Sequence, residues 1–146
     1  MKELADNYKD TIYRMIESSG VLYDNQQWFN ANYLAGYVLE CYCKLVLSYA
    51  IQIGQGVGRN NVRGYSHSIK SMKDDIDCLM ISGTQISSYC IDLHDACSNI
   101  LTHWNPNNRY ESNSHVLGDK VLAEDIKKEV KRLTELVLKM DVDGVI

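Results

Sequence analysis

The stretch that decides the fold is residues 31–47, which read ANYLAGYVLECYCKLVL. Apolar side chains fill most of its positions, and Asn32, Glu40 and Lys44 interrupt them. A helix that is apolar on nearly every side belongs in the middle of a bundle. The stretch is almost long enough to span a bilayer, but charges in mid-span are costly. We therefore expect residues 26–51 to form a buried central helix, and we expect no membrane partner.

Amphipathic helices are predicted on both sides of this central one, because apolar residues recur every three or four positions. The first runs from Leu4 through Tyr8, Ile12 and Ile16 and is expected to end near Gly20. The third opens near Ser66 and breaks at Ser82-Gly83. A fourth is predicted from one continuous series of apolar residues: Ile86, Tyr89, Leu93, Ala96, Ile100 and Trp104.

The last helix is expected to be capped by Asp119. Its inward face is predicted from a further series: Val121, Ile126, Val130, Leu133 and Val137. Two polar stretches, about 52–65 and 105–118, are predicted to be loops, and residues 141–146 a frayed tail. The chain of 146 residues has 45% hydrophobic residues and a single proline, Pro106. These features predict one all-α domain over 1–146, an antiparallel bundle of about five helices with the apolar second helix at its centre.

The charge and the cysteines limit the function classes. The net charge is −4, whereas proteins that bind nucleic acid over a broad surface are usually basic, so any RNA contact should be local. The five cysteines are odd in number and no signal-peptide pattern opens the chain, which favours a cytoplasmic protein without disulfides. Cys90, His94 and Cys97 share one predicted helix face, but core packing is favoured over metal binding there, and we expect no cofactor.

The residues Leu34-Ala35-Gly36, then Glu40, then Lys44 resemble the second-helix signature of the HEPN superfamily (higher eukaryotes and prokaryotes nucleotide-binding). Two further points are similar. Ser66-His67-Ser68-Ile69 stands where many members have a histidine opening a short third helix. Asn108-Arg109-Tyr110 stands before the last helix, where an Arg-Tyr pair often occurs. The resemblance covers roughly residues 26–140 and implies a HEPN-like bundle that forms homodimers.

Many HEPN proteins are endoribonucleases that need no metal and carry an Arg and a His four to six residues apart. Arg109 and His115 have five residues between them. The resemblance implies that Arg109 stabilises charge on the phosphate and that His115 transfers a proton, with the two sites of a dimer facing one cleft. Arginine and histidine suit these roles chemically.

A second function stays open, because Tyr110 occupies a position that is usually small and polar in the nuclease motif. In that case the chain is a non-catalytic binding module, with a nucleotidyltransferase or another defence or toxin–antitoxin component as its partner. A scaffold without any nucleotide role also remains open.

The sequence offers further candidate residues that would support this motif. Glu40 and Lys44, four residues apart, are predicted to form a helical ion pair, with orientation of Arg109 by Glu40 as the functional alternative. Arg59 and Arg63, near Tyr65 in the first loop, are candidate RNA contacts. Seven tyrosines on predicted helices support a homodimer interface: Tyr8, Tyr13, Tyr33, Tyr37, Tyr42, Tyr49 and Tyr89.

Overall fold

The computed structural model describes residues 2–55 and 57–146, with side chains from residue 7 onward. Within these residues the chain is all-helical and contains no strand. The helices are α1 (Lys2–Asp24), α2 (Trp28–Gln52), α3 (Ile69–Ile81), α4 (Leu93–Ala96), α5 (Ser98–His103) and α6 (Lys120–Val142). Four 3-10 turns complete the architecture: Val62–Tyr65, Gln85–Tyr89, Pro106–Tyr110 and Val116–Gly118.

Helix α2 is the centre of the structure, as its composition predicts. Sixteen of its residues are buried, including every residue from Val38 to Ser48. Helices α1, α3 and α6 pack around it, and short turns cover what they leave. By length and composition α2 could cross a membrane, but most of its apolar stretch is covered by the rest of the fold.

Helix α1 continues past Gly20, where the sequence predicted its end, as far as Asp24. Burial of Ile12 and partial burial of Tyr8 and Ile16 agree with the predicted inner face. The side chain of Leu4 lies outside the described residues. The chain then reverses at Gln26, which has a positive φ of 61°.

The predicted fourth helix is wrong as a single element. Gln85–Tyr89 is a 3-10 turn in which the hydroxyls of Ser87 and Ser88 donate to nearby backbone carbonyls, a bond pattern that competes with helix formation. Two short helices follow, and Glu129 of α6 explains the break between them. Its buried carboxylate accepts the backbone N–H groups of Asn99 and Ile100, each at 3.0 Å. A side chain distant in sequence therefore satisfies the first turn of α5.

Three predictions concern the ends of α6: its cap, the inward-facing Val121 and the tail. Asp119 caps the helix by accepting the N–H of Leu122 at 2.8 Å. Val121, predicted to face inward, is instead 63% exposed. The tail is not frayed, because Asp141 accepts the hydroxyl of Tyr13 at 2.7 Å and Asp143 that of Tyr89 at 2.7 Å. Val145 and Ile146 pack against the core.

The cysteines fall into two groups by burial. Cys41, Cys43 and Cys97 are in the core, where burial raises the pKa of each thiol, to about 12 for Cys41 and for Cys97. Cys90 is partly buried, and burial raises the pKa of its thiol to about 11. Cys78 on α3 is exposed. Because thiolate is the reactive form, the buried thiols should be inert in the folded protein.

We predict that a thiol reagent such as 5,5′-dithiobis(2-nitrobenzoate) will modify Cys78 rapidly in the native protein at pH 8. Cys90 should react more slowly, and the other three cysteines only after unfolding. Absorbance at 412 nm measures the phases. The Cys78→Ser variant should lose the fast phase, and a fast phase that persists in this variant would contradict the packing described here.

Candidate functional site

Five side chains form a stripe along one face of α2 at spacings of three or four residues: Phe29, Tyr33, Tyr37, Glu40 and Lys44. Such spacing places successive members one above another on a helix. His115 contacts this stripe, and Arg109 and Arg63 interact electrostatically with it or with a side chain next to it. The stripe therefore defines the positions of the candidate residues along α2.

At the middle of the stripe, the connection between α5 and α6 is tied to α2. Trp104 donates its indole N–H to the carbonyl of Tyr33 at 2.8 Å, and its ring meets the Tyr37 ring edge-on, with centroids 5.0 Å apart. Tyr33 donates its hydroxyl to the carbonyl of Pro106 at 3.0 Å. Asn32, beside the stripe, donates its amide to the carbonyl of Leu117 at 2.8 Å. The segment 105–118, predicted to be a loop, is thus two 3-10 turns anchored at three points.

Gly36 explains how the indole can lie so close. A Cβ atom at this position would overlap the ring of Trp104. The glycine of the Leu34-Ala35-Gly36 motif therefore has a local steric reason, which is the approach of the α5–α6 connection to α2.

Arg109 lies in the 3-10 turn Pro106–Tyr110, with its guanidinium 4.8 Å from the ring centroid of Tyr110. A hydrogen bond to Tyr110 raises the pKa of Arg109, with smaller contributions from Tyr33 and Tyr37. Arg109 therefore also interacts electrostatically with the two tyrosines of the stripe. Tyr110 itself is 75% exposed. An exposed guanidinium flanked by aromatic rings is suited to bind a phosphate and an adjacent base.

His115 sits one turn further toward the start of α2. Its ring is edge-on to Phe29 with centroids 6.2 Å apart, and its Nδ1 accepts the N–H of Leu117 at 3.2 Å. This bond caps the turn Val116–Gly118 and leaves the ring proton on Nε2. Both predicted catalytic residues thus stand along the same face of α2, outside any α-helix, and His115 also has a structural role.

Glu40 and Lys44 form the predicted ion pair, with Nζ and Oε2 3.7 Å apart and both side chains buried. The second oxygen of Glu40 lies 2.6 Å from Nδ1 of His67. Glu40 thus holds His67, a contact that differs from the predicted alternative in which it orients Arg109. Lys44 continues the cluster, since its ammonium lies 5.3 Å from the ring centroid of Tyr8. Two partners compensate the buried carboxylate, which alone would be very costly.

His67 is the residue of this region to which sequence reasoning gave no role. Its side chain is 58% exposed although its partner Glu40 is buried. It borders a cavity of about 500 Å³ with Lys70, Lys73, Trp104 and Pro106 on its walls. A signal existed in the sequence, because Glu40 is an acidic residue on an otherwise apolar helix face and needs a polar partner.

The two arginines of the first loop occupy different surroundings. Arg59 stacks on the ring of Tyr65, 4.2 Å from its centroid. Arg63 is close enough to Tyr8 to lower the pKa of that phenol, which burial raises. Arg63 therefore lies at the Lys44 end of the stripe, whereas no described contact joins Arg59 to it.

The tyrosines, predicted to support a dimer interface, mostly bond within the chain. Tyr42 donates to the carbonyl of Tyr89 at 2.6 Å, and the hydroxyls of Tyr33 and Tyr37 lie 2.9 Å apart. The pKa of Tyr37 is raised to about 12, chiefly by burial and also by the hydroxyl of Tyr33 and the charge of Glu40, whereas Arg109 lowers it. Their number therefore reflects internal packing.

Cys90, His94 and Cys97 do not share a helix, since they fall in the turn before α4, in α4 and after it. Among the described residues no group of three histidine, cysteine or acidic side chains is placed to hold a metal ion. Comparisons of the chain with protein-family models, with curated proteins and with solved structures found no match.

We predict that Gly36→Ala will destabilise the protein by about 1–3 kcal/mol, because the added methyl group pushes Trp104 out of its place against α2. Urea denaturation followed by circular dichroism measures the change in the free energy of unfolding.

Gly20→Ala is the matched control. Gly20 is interior to α1 and a Cβ there meets no atom within 4 Å. Alanine at this position should stabilise the protein by about 0.5–1 kcal/mol through helix propensity. Equal effects of the two substitutions would contradict the steric role of Gly36.

Proposed function

We propose that this chain is a HEPN-like protein that cleaves single-stranded RNA without a metal ion, with Arg109 binding the scissile phosphate. The observation that carries the proposal is the exposed guanidinium of Arg109 beside Tyr110, Tyr33 and Tyr37. A planar cation can bind two phosphate oxygens at once and stabilise the charge that builds up during cleavage. Aromatic faces around it can stack on bases without reading sequence.

The charge of the protein is compatible with this site. A net charge of −4 disfavours binding along a broad surface, but the exposed Arg109 lies in the turn that begins at Pro106, on the wall of the cavity that Lys70 and Lys73 also line. Lys73 pairs with Asp77, and Arg63 interacts electrostatically with Tyr8. The contact would therefore be short and would involve few phosphates. A weak dependence of affinity on salt concentration follows from this small number.

The HEPN-like arrangement of the bundle and a homodimer are part of the proposal. The buried α2 carries the Leu-Ala-Gly, Glu and Lys positions of the resemblance, and Gly36, Glu40 and Lys44 each have a structural role in this fold. In such a dimer two Arg109 side chains would face one cleft. The motif of the resemblance implies His115 as the partner histidine, but its Nδ1 accepts the N–H of Leu117, and the proposal rests on Arg109 alone.

A non-catalytic binding module is the second candidate, and one observation favours it. A groove of about 750 Å³ with mainly apolar walls lies between α1 and α6, and Lys127, Lys128 and Lys131 of α6 are among its lining residues. Its cations would suit an acidic surface of a partner such as a nucleotidyltransferase or an antitoxin.

Cleavage of labelled single-stranded RNA in EDTA tests the proposed function. The wild-type protein should produce fragments with 2′,3′-cyclic phosphate ends, and Arg109→Ala should be slower by about 100-fold or more, because a charge-stabilising donor is lost. Arg132→Ala is the matched control, since Arg132 is an exposed arginine of α6 that pairs with Glu135. It should retain wild-type activity.

The binding-module function predicts the opposite result in the cleavage assay. If the folded wild-type protein cleaves no RNA, and its expression alone does not slow growth, the binding-module function replaces the nuclease. Equal losses in Arg109→Ala and Arg132→Ala would instead show a general charge effect and reject Arg109 as the phosphate ligand.

A further inference from the structure

The proposed reaction needs a histidine next to Arg109, and the chain offers two on the same face of α2. His115 lies at the level of Phe29 and His67 at the level of Glu40. Eleven residues of helix separate these levels, a rise of about 16 Å. Both rings cannot contact one phosphate, so only one of them can be the partner of Arg109.

The 3-10 turn that carries Arg109 begins beside the His67 cavity. Pro106 lines this cavity together with His67 and Trp104. A 3-10 helix has three residues per turn, so Arg109 is expected on the same side of the turn as Pro106, about 6 Å along its axis. Tyr37 interacts electrostatically both with Glu40, which holds His67, and with Arg109.

The hydrogen bonds of each imidazole further distinguish His67 from His115. In His115 the unprotonated nitrogen is Nδ1, and the backbone N–H of Leu117 occupies it. In His67 the buried Glu40 is 2.6 Å from Nδ1, so this nitrogen carries the proton and donates to the carboxylate. The lone pair of Nε2 then remains available on an exposed ring. A carboxylate that orients a histidine in this way is a frequent feature of proton-transfer sites.

Resting on the proposed function, we propose that His67, oriented by Glu40, is the catalytic residue that takes the proton from the ribose 2′-hydroxyl, and that His115 is a structural residue. As Nε2 of His67 takes the proton, O2′ forms a bond to phosphorus and the bond from phosphorus to O5′ breaks. The leaving O5′ takes a proton from water, and the hydroxide formed is neutralised when His67 releases its proton. The products are a 2′,3′-cyclic phosphate and a 5′-hydroxyl. The exposed Lys70 on the cavity wall would contact the RNA backbone.

The test compares single histidine variants in the EDTA cleavage assay. His67→Gln should lose activity by about 100-fold or more, the usual contribution of a positioned acid or base. His115→Gln should retain it, and so should the matched control His94→Gln, which changes an exposed histidine of α4. Thermal unfolding of each variant confirms folding, which matters most at position 67, because His67 is a partner of the buried Glu40.

Chemical rescue separates catalysis from structure. In His67→Ala, added imidazole can enter the cavity and should restore part of the activity, which a purely structural histidine would not permit. No rescue is expected for Arg109→Ala. Loss of activity in His115→Gln with full activity in His67→Gln would overturn the inference and leave the proposed function standing.

A binding measurement distinguishes failure of the proposed function from failure of the inference about His67. Single-stranded DNA of the same base sequence lacks the attacking hydroxyl, and its titration should shift the imidazole NMR signals that are missing in His67→Gln. If the wild type cleaves no RNA, the proposed function is rejected. In that case unshifted His67 signals reject the inference as well, whereas shifted signals retain His67 as a nucleic-acid contact.

Discussion

Helix α2 has to be covered on all sides, because a helix that is apolar all round cannot face water. This constraint determines where the other elements lie. Helices α1, α3 and α6 take three sides, and short helices and turns fill the rest. At Gly36, which has no side chain, the indole of Trp104 packs directly against α2. The segment that carries Arg109 is thus part of the covering of α2.

The same constraint explains the polar cluster on α2. Glu40 and Lys44 are buried within an apolar helix and can remain charged only because they face each other and because His67 and Tyr8 contact them. Burial of the Glu40 carboxylate costs free energy. In this fold the carboxylate holds the exposed His67 in one orientation. Replacing the carboxylate and the lysine by apolar residues could keep the core packed, but His67 would then lose its support. The cluster is therefore the support on which the proposed role of His67 depends.

Sequence periodicity predicted the long helices well and the short elements poorly. In helices α2 and α6 the pattern of apolar residues extends over many consecutive positions, so both helices could be predicted from the local sequence. The Asp119 cap follows from local chemistry in the same way. The fourth helix was wrong because Glu129, some thirty residues away, supplies the hydrogen bonds that start α5. The ordered tail depends in the same way on Tyr13 and Tyr89. Long-range side-chain bonds of this kind leave no periodic pattern in the sequence.

The candidate site was predictable in part. Arg109, Tyr110 and His115 could be chosen as a motif and all lie on one face of α2, and the Glu40–Lys44 pair follows from helical spacing. The contact between Glu40 and His67 joins residues 27 positions apart and depends on how the α2–α3 connection folds back. No spacing rule gives that distance. The hydrogen-bond partners of the tyrosines could not be predicted for a related reason, because they are carbonyls and carboxylates distant in the same chain.

The two ends of the proposed site belong to different connections. His67 comes from the segment between α2 and α3, and Arg109 from the segment between α5 and α6, so they are joined only through α2 and the cavity wall. A ligand that touches both would link parts of the chain some forty residues apart and would bind the folded state alone. Occupancy would then raise the melting temperature, by an amount that grows with the logarithm of the ligand concentration above the dissociation constant. The heat stability of this small bundle would itself report on what it binds in the cell.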